Sequence, residues 1–305
     1  MNLSHLAYFK KLAEVKHYTK AASELYIAQP TLSVAISSLE KELGTPLFER
    51  KNNQILLTPC GKTFYHYVCV ALQSLDKGVN SVREYAGMIN GQINLGTLYA
   101  MQGKYWSEAI RAFHEEYGTP IQINISQGFT PSLVKDLKED NYDVVFAAQP
   151  EADDSLVSKP CWSQELAVAV NKKHPLAQRH EISIEDLKDQ RILTYKKSSV
   201  VHKELTDALG KKEKELDIDF AYDDEITLSS LVTSDENAVA LLCYSFLVKA
   251  FDEVVFLPLK EAPKDFHKVY LLSKKEGQKS RLIRDFVTFM SSYHFPPARV
   301  PEQKQ

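Results

Sequence analysis

The sequence predicts an α/β protein with three parts: an N-terminal winged helix-turn-helix, a long linker helix and a two-lobed α/β domain. Two helical patterns split by a tight break predict the first part, and a long apolar repeat predicts the second. Alternating strand and helix patterns beyond residue 91 predict the third. The expected domains are residues 1–58, 59–90 and 91–305, with lobe I at about 91–160 and 266–305 and lobe II at about 161–265.

The helix-turn-helix prediction rests on residues 18–43. Thr19 is expected to cap the first helix, and Pro30, a residue favoured in the first turn, opens the second. The second helix has an apolar stripe at helical spacing, formed by Leu32, Ala35, Ile36, Leu39 and Leu43. Its opposite face has no acid and carries Ser33, Val34, Ser37, Ser38 and Lys41. Such a face suits a groove walled by phosphates, although an ordinary cap with a solvated polar face fits the helix pattern equally well.

Two short apolar runs that flank a basic, Asn-rich turn after Gly44 predict a two-stranded wing. The Gln29 amide can pair with adenine through two hydrogen bonds, and Arg50 and Lys51 at the wing can contact backbone phosphate. The candidate DNA-binding residues are Thr19, Lys20, Gln29, Pro30, Thr31, Ser33, Val34, Ser37, Ser38, Arg50, Lys51 and Asn52.

The first sixty or so residues resemble the LysR-type transcriptional regulators. The residues that carry this resemblance, by order and spacing, are Leu6, Phe9, Thr19, Ala21, Ala22, Leu25, Gln29, Pro30, Leu32, Ser33, Ile36, Leu39, Glu40, Leu43, Gly44, Leu47, Phe48, Arg50, Leu57, Thr58 and Gly61. Thr31 and Val34 occupy positions that vary in this family. The DNA sequence that is read therefore does not transfer from the resemblance.

The segment that begins at Pro59 has apolar residues at steps of three and four: Phe64, Val68, Ala71, Leu75, Val79, Val82, Ala86 and Ile89. A helix of about 30 residues is about 45 Å long, too long to bury this stripe against a small domain. The resemblance implies the same helix of a second subunit as its partner, hence a homodimer, and further association into a homotetramer. A helix packed onto its own C-terminal domain is the alternative.

Residues 91–148 show a βαβαβ pattern, and a second half opens at residue 166. Two such lobes form a cleft, in which ligands bind at the carboxyl ends of strands. This part resembles the periplasmic-binding-protein-like effector domain of the same family, except at residues 234–237 and at Cys243 and Tyr244. The candidate effector-binding residues are Tyr99, Ala100, Met101, Gln102, Gln127, Gly128, Phe129, Thr130, Ala147, Tyr195, Lys196 and Ser198.

Two predicted helix N-termini, at Thr130 and Ser198, lie near Lys196 and favour a small anionic effector such as a carboxylate. Plain helix caps and surface lysines are the alternative. No metal or other cofactor is expected, because Cys60, Cys69, Cys161 and Cys243 lack metal-ligand spacing. The peroxide sensors of the family use a cysteine pair, but the separation of Cys161 and Cys243 does not match theirs.

The net charge of −3 hides an asymmetry, since residues 1–62 carry +3 and the remainder −6. Only one end is therefore expected to meet DNA. Without a membrane-spanning run or the apolar core of a signal peptide, the chain is expected to be cytoplasmic with no membrane partner.

The sequence thus predicts a DNA-binding transcriptional regulator whose activity is controlled by a small molecule, and not an enzyme. Its expected partners are double-stranded promoter DNA, the effector, its own copies and RNA polymerase. The alternatives are an enzyme built on the two lobes, for which no paired acid and base is visible, and an exported small-molecule-binding protein, for which no signal is present.

Overall fold

The computed structural model describes residues 1–51, 54–85, 91–118, 121–150, 153–275 and 280–302. These residues fall into two units. The first comprises Met1–Asn90 and Glu139–Asn141, and the second comprises Gly91–Lys138 and Tyr142–Gln305. No helix in the described ranges combines the length and the apolar composition that crossing a bilayer requires.

The first unit begins with three helices and a β-hairpin, followed by a long helix. Its elements are α1 (Leu3–Val15), α2 (Tyr18–Glu24), α3 (Gln29–Leu43), β1 (Phe48–Lys51), β2 (Gln54–Leu57) and α4 (Pro59–Tyr85). The strands pair antiparallel, with Phe48 opposite Leu57. Fully buried Phe9 holds the core together, because its ring lies 5.3 Å from that of Phe48 and 5.1 Å from that of Phe64. The predicted winged helix-turn-helix is confirmed.

Two details of the helix-turn-helix differ from the prediction. Helix α2 is capped by His17, whose Nδ1 accepts from the Lys20 backbone N–H at 3.3 Å, and not by Thr19. Leu43 is 39% exposed because the chain turns away immediately afterwards, at Gly44 with φ 68°. Leu47, 1% exposed, fills the core in its place.

The apolar stripe of α4 is buried near the start of the helix and exposed further along. Its first part packs into the core of the first unit, where Val68 is 2% exposed. Further along the helix, Leu75, Val79 and Val82 are 46%, 47% and 68% exposed. Ala86 and Ile89, the last two residues of the predicted stripe, lie outside the described residues.

The second unit is built from five helices and ten strands among the described residues. The helices are α5 (Lys104–Tyr117), α6 (Thr130–Lys138), α7 (Val200–Leu209), α8 (Glu225–Ser234) and α9 (Arg281–Ser292). The strands are β3 (Gln92–Leu98), β4 (Gln122–Gly128), β5 (Val144–Ala148), β6 (Leu156–Gln164), β7 (Leu166–Asn171), β8 (Arg191–Tyr195), β9 (Asp217–Tyr222), β10 (Val239–Cys243), β11 (Val254–Pro258) and β12 (His267–Lys274).

Lobe I contains a five-stranded sheet in the order β4-β3-β5-β12-β6. Strands β3, β4 and β5 are parallel, whereas β12 runs antiparallel to both of its neighbours. Side chains of β5 alternate between the two faces, with Phe146 in the main core and Val145 in a second cluster beneath α6. On the main-core face α9 packs against β12, β6 and α5, so the last helix returns to lobe I as expected.

Strand β6 was not predicted. It contains Pro160 and has a register shift opposite Val269 and Tyr270 of β12. Proline cannot donate a ladder hydrogen bond and is tolerated at the edge of a sheet, where β6 lies. Only its pairing with β12, which is distant in sequence, identifies this stretch as a strand.

Lobe II contains a second five-stranded sheet in the order β11-β7-β10-β8-β9. Strands β8, β9 and β10 are parallel, and β7 is antiparallel to β10 and β11. The predicted helix Ile184–Leu187 is a 3-10 turn, closed by a capping box between Ser183 and Asp186. Two mixed α/β sheets in one unit confirm the predicted two-lobed class.

Candidate functional site

The outer face of α3 is exposed and bears no acid over residues 29–39. Val34 is 70% exposed there. Ser33 is the half-buried member of the predicted set. The others on this helix are exposed, namely Gln29, Pro30, Thr31, Val34, Ser37 and Ser38.

Just before α3, the turn holds a residue that the sequence prediction left out. Tyr26 has a left-handed backbone, with φ 56°, and its side chain is 96% exposed. Only the three-dimensional turn shows that this ring projects beside α3. On α2, Thr19 and Lys20 are exposed.

The wing is tied to α3 by a carboxylate. Glu40 Oε1 accepts from the backbone N–H groups of Leu47 and Phe48, at 2.8 and 3.2 Å. This acid thereby fixes where the hairpin begins. Arg50 and Lys51 are exposed on β1, and Asn52 lies outside the described residues.

The second unit contains a cavity of about 400 Å³ lined by residues of both lobes. The residues that follow strands β3, β4, β8 and β9 contribute to its lining, and so does Cys243, the last residue of β10. The lining residues are Leu98, Tyr99, Ala100, Gly128, Phe129, Thr130, Pro131, Ser132, Gln164, Tyr195, Lys196, Ser198, Ser199, Val200, Val201, Asp223, Asp224, Glu225, Cys243 and His267.

The cavity brings together most of the predicted effector-binding residues. Those that line it are Tyr99, Ala100, Gly128, Phe129, Thr130, Tyr195, Lys196 and Ser198. Met101 and Ala147 are instead buried in the cores of lobe I. Gln127 is exposed, since alternation along β4 turns it away from neighbouring Gly128, and half-buried Gln102 is not part of the lining either.

The sequence prediction missed two groups of residues that line the cavity. Residues 223–225 follow parallel strand β9, so the rule that selected the ends of β3 and β8 would have found them. Gln164 ends β6 and His267 begins β12, and these strands join the lobes at positions that only the tertiary structure reveals.

Three helices begin at the cavity wall: α6, α7 and α8. The Ser199 hydroxyl caps α7 by accepting from Val201 N–H at 3.3 Å, and the Asp224 carboxylate caps α8 by accepting from Thr227 N–H at 2.7 Å. Thr130, 4% exposed, accepts from Ala148 N–H at 3.1 Å through its Oγ1. Each N-terminus directs its positive dipole end toward the cavity wall.

The charged groups at the wall are mostly acids. Lys196 forms an ion pair with Asp223, which neutralises both. Glu225 is 8% exposed, and its Oε1 has no hydrogen-bond partner among the described residues. Burial raises the pKa of the Glu225 carboxyl, and Asp224 adds to that effect.

The floor of the cavity is a buried polar layer. His267, 3% exposed, has its Nδ1 2.6 Å from Oε2 of Glu204. Gln164 donates to the Tyr244 carbonyl at 3.1 Å, and the Tyr195 hydroxyl accepts from Cys243 N–H at 2.9 Å. These side chains hold one another in place and so give the cavity a fixed shape.

The cysteine environments argue against redox sensing. Burial raises the pKa of the Cys161 thiol to about 12, and burial also raises that of Cys243 well above its usual value. Reactive cysteines require a thiolate, which both environments disfavour. Within the described ranges, no group of three or more His, Cys, Asp and Glu side chains could hold a metal ion.

Comparison with known families gives two matches on this chain. Residues 3–62 match the bacterial regulatory helix-turn-helix protein, lysR family, and residues 86–294 match the LysR substrate binding domain.

Among individual proteins, the chain is 29% identical over 234 residues to the uncharacterized HTH-type transcriptional regulator YybE of Bacillus subtilis, covering 77% of this chain and 80% of that one. It is 32% identical over 200 residues to the HTH-type transcriptional regulator BenM of Acinetobacter baylyi, covering 65% of each chain. The structure of full-length CbnR complexed with the target DNA is similar with a TM-score of 0.76 and 18% identity, covering 95% of this chain and 99% of that one.

Proposed function

Since the chain belongs to the LysR family of bacterial transcriptional regulators, we propose that α3 and the wing read promoter DNA and that a small carboxylate in the cavity controls this activity. The protein is a DNA-binding transcriptional regulator with an effector-binding domain, and not an enzyme. Which residues read DNA, which ligand binds and how subunits associate are the proposed parts.

The acid-free outer face of α3 is the observation that carries the DNA-binding proposal. Gln29, at the start of α3, hydrogen-bonds adenine in the major groove, and Val34 contacts a thymine methyl group. Lys20, Arg50 and Lys51 contact phosphates on either side and fix the register without reading sequence. The exposed Tyr26 ring adds a contact beside α3.

Footprinting of the full chain on the intergenic DNA upstream of its own gene, at low and physiological salt, tests this proposal. Protection in blocks spaced by whole helical turns is expected from a symmetric oligomer. Binding that disappears at physiological salt, with no preferred site, would overturn it. Added RNA polymerase, a further predicted partner, should extend the protected region.

The Gln29→Ala variant separates base reading from positioning. We expect discrimination between operator and random DNA to fall by about 1–3 kcal/mol, because the amide pairs with one base. Equal losses on both DNAs would assign Gln29 to phosphate positioning instead. Gln178→Ala, a substitution of an exposed glutamine in the second unit, serves as the matched control.

The exposed apolar stripe on the second part of α4 supports self-association. Leu75, Val79 and Val82 lie on one side of the helix, where a second copy of α4 would cover them. A homodimer formed through this helix leaves the second units available to pair, which gives a homotetramer.

A carboxylate effector is supported by the helix N-termini that meet at the cavity. The first turns of α6 and α7 offer N–H groups and a positive dipole end to an anion. Apolar side chains such as Tyr99, Phe129 and Val200 surround that position. Titration calorimetry of the full chain with small carboxylates tests this, and the absence of heat across a broad panel would count against it.

A further inference from the structure

The charges around the cavity do not match a purely anionic ligand. Among the described lining residues, three acids (Asp223, Asp224 and Glu225) face one lysine, Lys196. Two of these acids already have partners, since Asp223 pairs with Lys196 and Asp224 caps α8. Glu225 forms no ion pair within the described part of the chain, and its charge is offset in part by the first turn of α8, by Ser245 and by His267.

Among the described lining residues, Glu225 is the one with a buried polar atom that forms no hydrogen bond. It is 8% exposed, and its Oε1 lies buried with no hydrogen bond to any described group. A buried acceptor left without a donor destabilises a protein, so such groups are rare unless a ligand completes them. Two neighbours, the Ser245 hydroxyl and the His267 imidazole, offset its charge only in part, because burial still raises its pKa; the Nδ1 of His267 is engaged by Glu204.

The cavity lining also contains aromatic surface. The rings of Tyr99 and Phe129 lie 5.6 Å apart, and each is about half-exposed, at 47% and 46%. Aromatic faces attract cations as well as apolar groups. A cavity lined by a buried acid and by two aromatic rings is therefore a favourable environment for a protonated amine.

We propose that the effector is a zwitterion of the α-amino-acid type, whose ammonium group binds the Glu225 carboxylate while its carboxylate lies at the N-termini of α6 and α7. This inference rests on the proposed carboxylate site and extends it to the other end of the ligand. The ammonium group pairs with the Glu225 carboxylate where it lines the cavity and balances the excess of acids. The side chain of the ligand lies against Tyr99 and Phe129.

Calorimetric titration of the full chain tests this with three matched sets of probes. The sets are the common L-α-amino acids, the carboxylic acids that lack only the amino group, and the amines that lack only the carboxylate. We expect at least one amino acid to bind at least about tenfold more tightly than its des-amino acid, since an unpaired buried charge costs that much or more. Hydroxy acids, added as a fourth set, should bind more weakly than the amino acids.

Glu225→Gln should reduce that ratio to within about threefold and leave the affinity for the des-amino acid nearly unchanged, because only the ammonium contact is lost. Glu225→Asp keeps the charge and should retain the preference for amino acids. Glu302→Gln, at an exposed acid far along the chain, is the control. Thermal melting and DNA binding of each variant establish that it is folded.

The outcomes separate this inference from the proposal on which it rests. If des-amino acids bind as tightly as amino acids, or if Glu225→Gln leaves the ratio unchanged, the ammonium assignment is wrong and the carboxylate site stands. Hydroxy acids that bind as tightly as amino acids would also overturn it, in favour of a neutral donor. Binding of the amines alone, lost in Glu225→Gln, would uphold the ammonium site and overturn the carboxylate site. If no set binds, both fail.

Discussion

At the scale of single residues, Gly61 shows how one position couples the wing to the linker helix. Its backbone N–H donates to the Thr58 hydroxyl at 2.9 Å, and a Cβ at this position would lie 2.0 Å from the Leu47 carbonyl oxygen. That carbonyl is held in place, because it accepts from Thr58 N–H at 3.0 Å. A side chain here therefore meets backbone that cannot move aside.

Gly61→Ala should destabilise the first unit by about 1–3 kcal/mol, the usual cost of overpacking. Thermal or urea unfolding of the full chain measures the change. Ser23→Ala, at an exposed position of α2 away from the proposed interface of α4, is the control and should change stability little. If both substitutions have the same effect, close packing at Gly61 is not the cause.

Glu225 predicts a pH dependence of stability. Its usual pKa of 4.5 is raised by burial in the folded protein, so the native state holds this proton more tightly than the unfolded chain does. Its contribution to stability is thus full below the unfolded pKa and is lost as pH rises through the folded pKa. The free energy of unfolding of Glu225→Gln, relative to the unsubstituted protein, should therefore increase as the pH rises from the usual pKa of 4.5 toward neutral.

Urea unfolding of both proteins across that range measures this difference. A difference that does not change with pH would mean that Glu225 is ionised with no penalty in the folded protein.

At the scale of elements, α4 performs two tasks along one helix. Its first half buries Val68 and partly buries Phe64 against α1 and the wing. Its second half exposes Leu75, Val79 and Val82, which the first unit leaves uncovered. A single helix thus contributes both to the core of the first unit and to the surface through which we propose that subunits associate.

Leu75→Glu should weaken self-association by at least about tenfold, because each subunit loses a buried leucine worth about 1.5–3 kcal/mol and gains a charge. Sedimentation of the full chain over a range of concentrations measures this. Ser74→Glu places the same charge a quarter turn away, at an exposed residue, and should leave association unchanged. Unchanged association in Leu75→Glu would show that the stripe is not the interface.

At the scale of the whole molecule, charge is divided between the two ends of the chain. Residues 1–62 carry +3, whereas the chain as a whole carries −3. The basic N-terminal part is therefore expected to attract DNA, and the net negative charge of the remainder is expected to repel it. DNA affinity should then fall steeply with salt.

Lys51→Ala should weaken binding to operator and random DNA alike and should reduce the slope of log affinity against log salt by about 1, since one phosphate contact is removed. Fluorescence anisotropy at several salt concentrations measures both quantities. Lys214→Ala, at an exposed lysine of the second unit, should leave the slope unchanged. A change in specificity without a change in slope would assign Lys51 to base reading.

The sequence alone determined the order of elements, the two-lobed class and the outer face of α3, because these depend on local periodicity and on residues close in the chain. It also identified the parts of the cavity lining that lie at or just beyond the ends of parallel strands, at Tyr99, Thr130 and Tyr195. The tertiary structure decided the rest: β6 is a strand only through its pairing with β12, and Gln164, Glu225 and His267 meet at the cavity through contacts between distant segments. The cavity contains a buried acid, Glu225. Whether an acid is buried depends on the fold and not on any local sequence pattern.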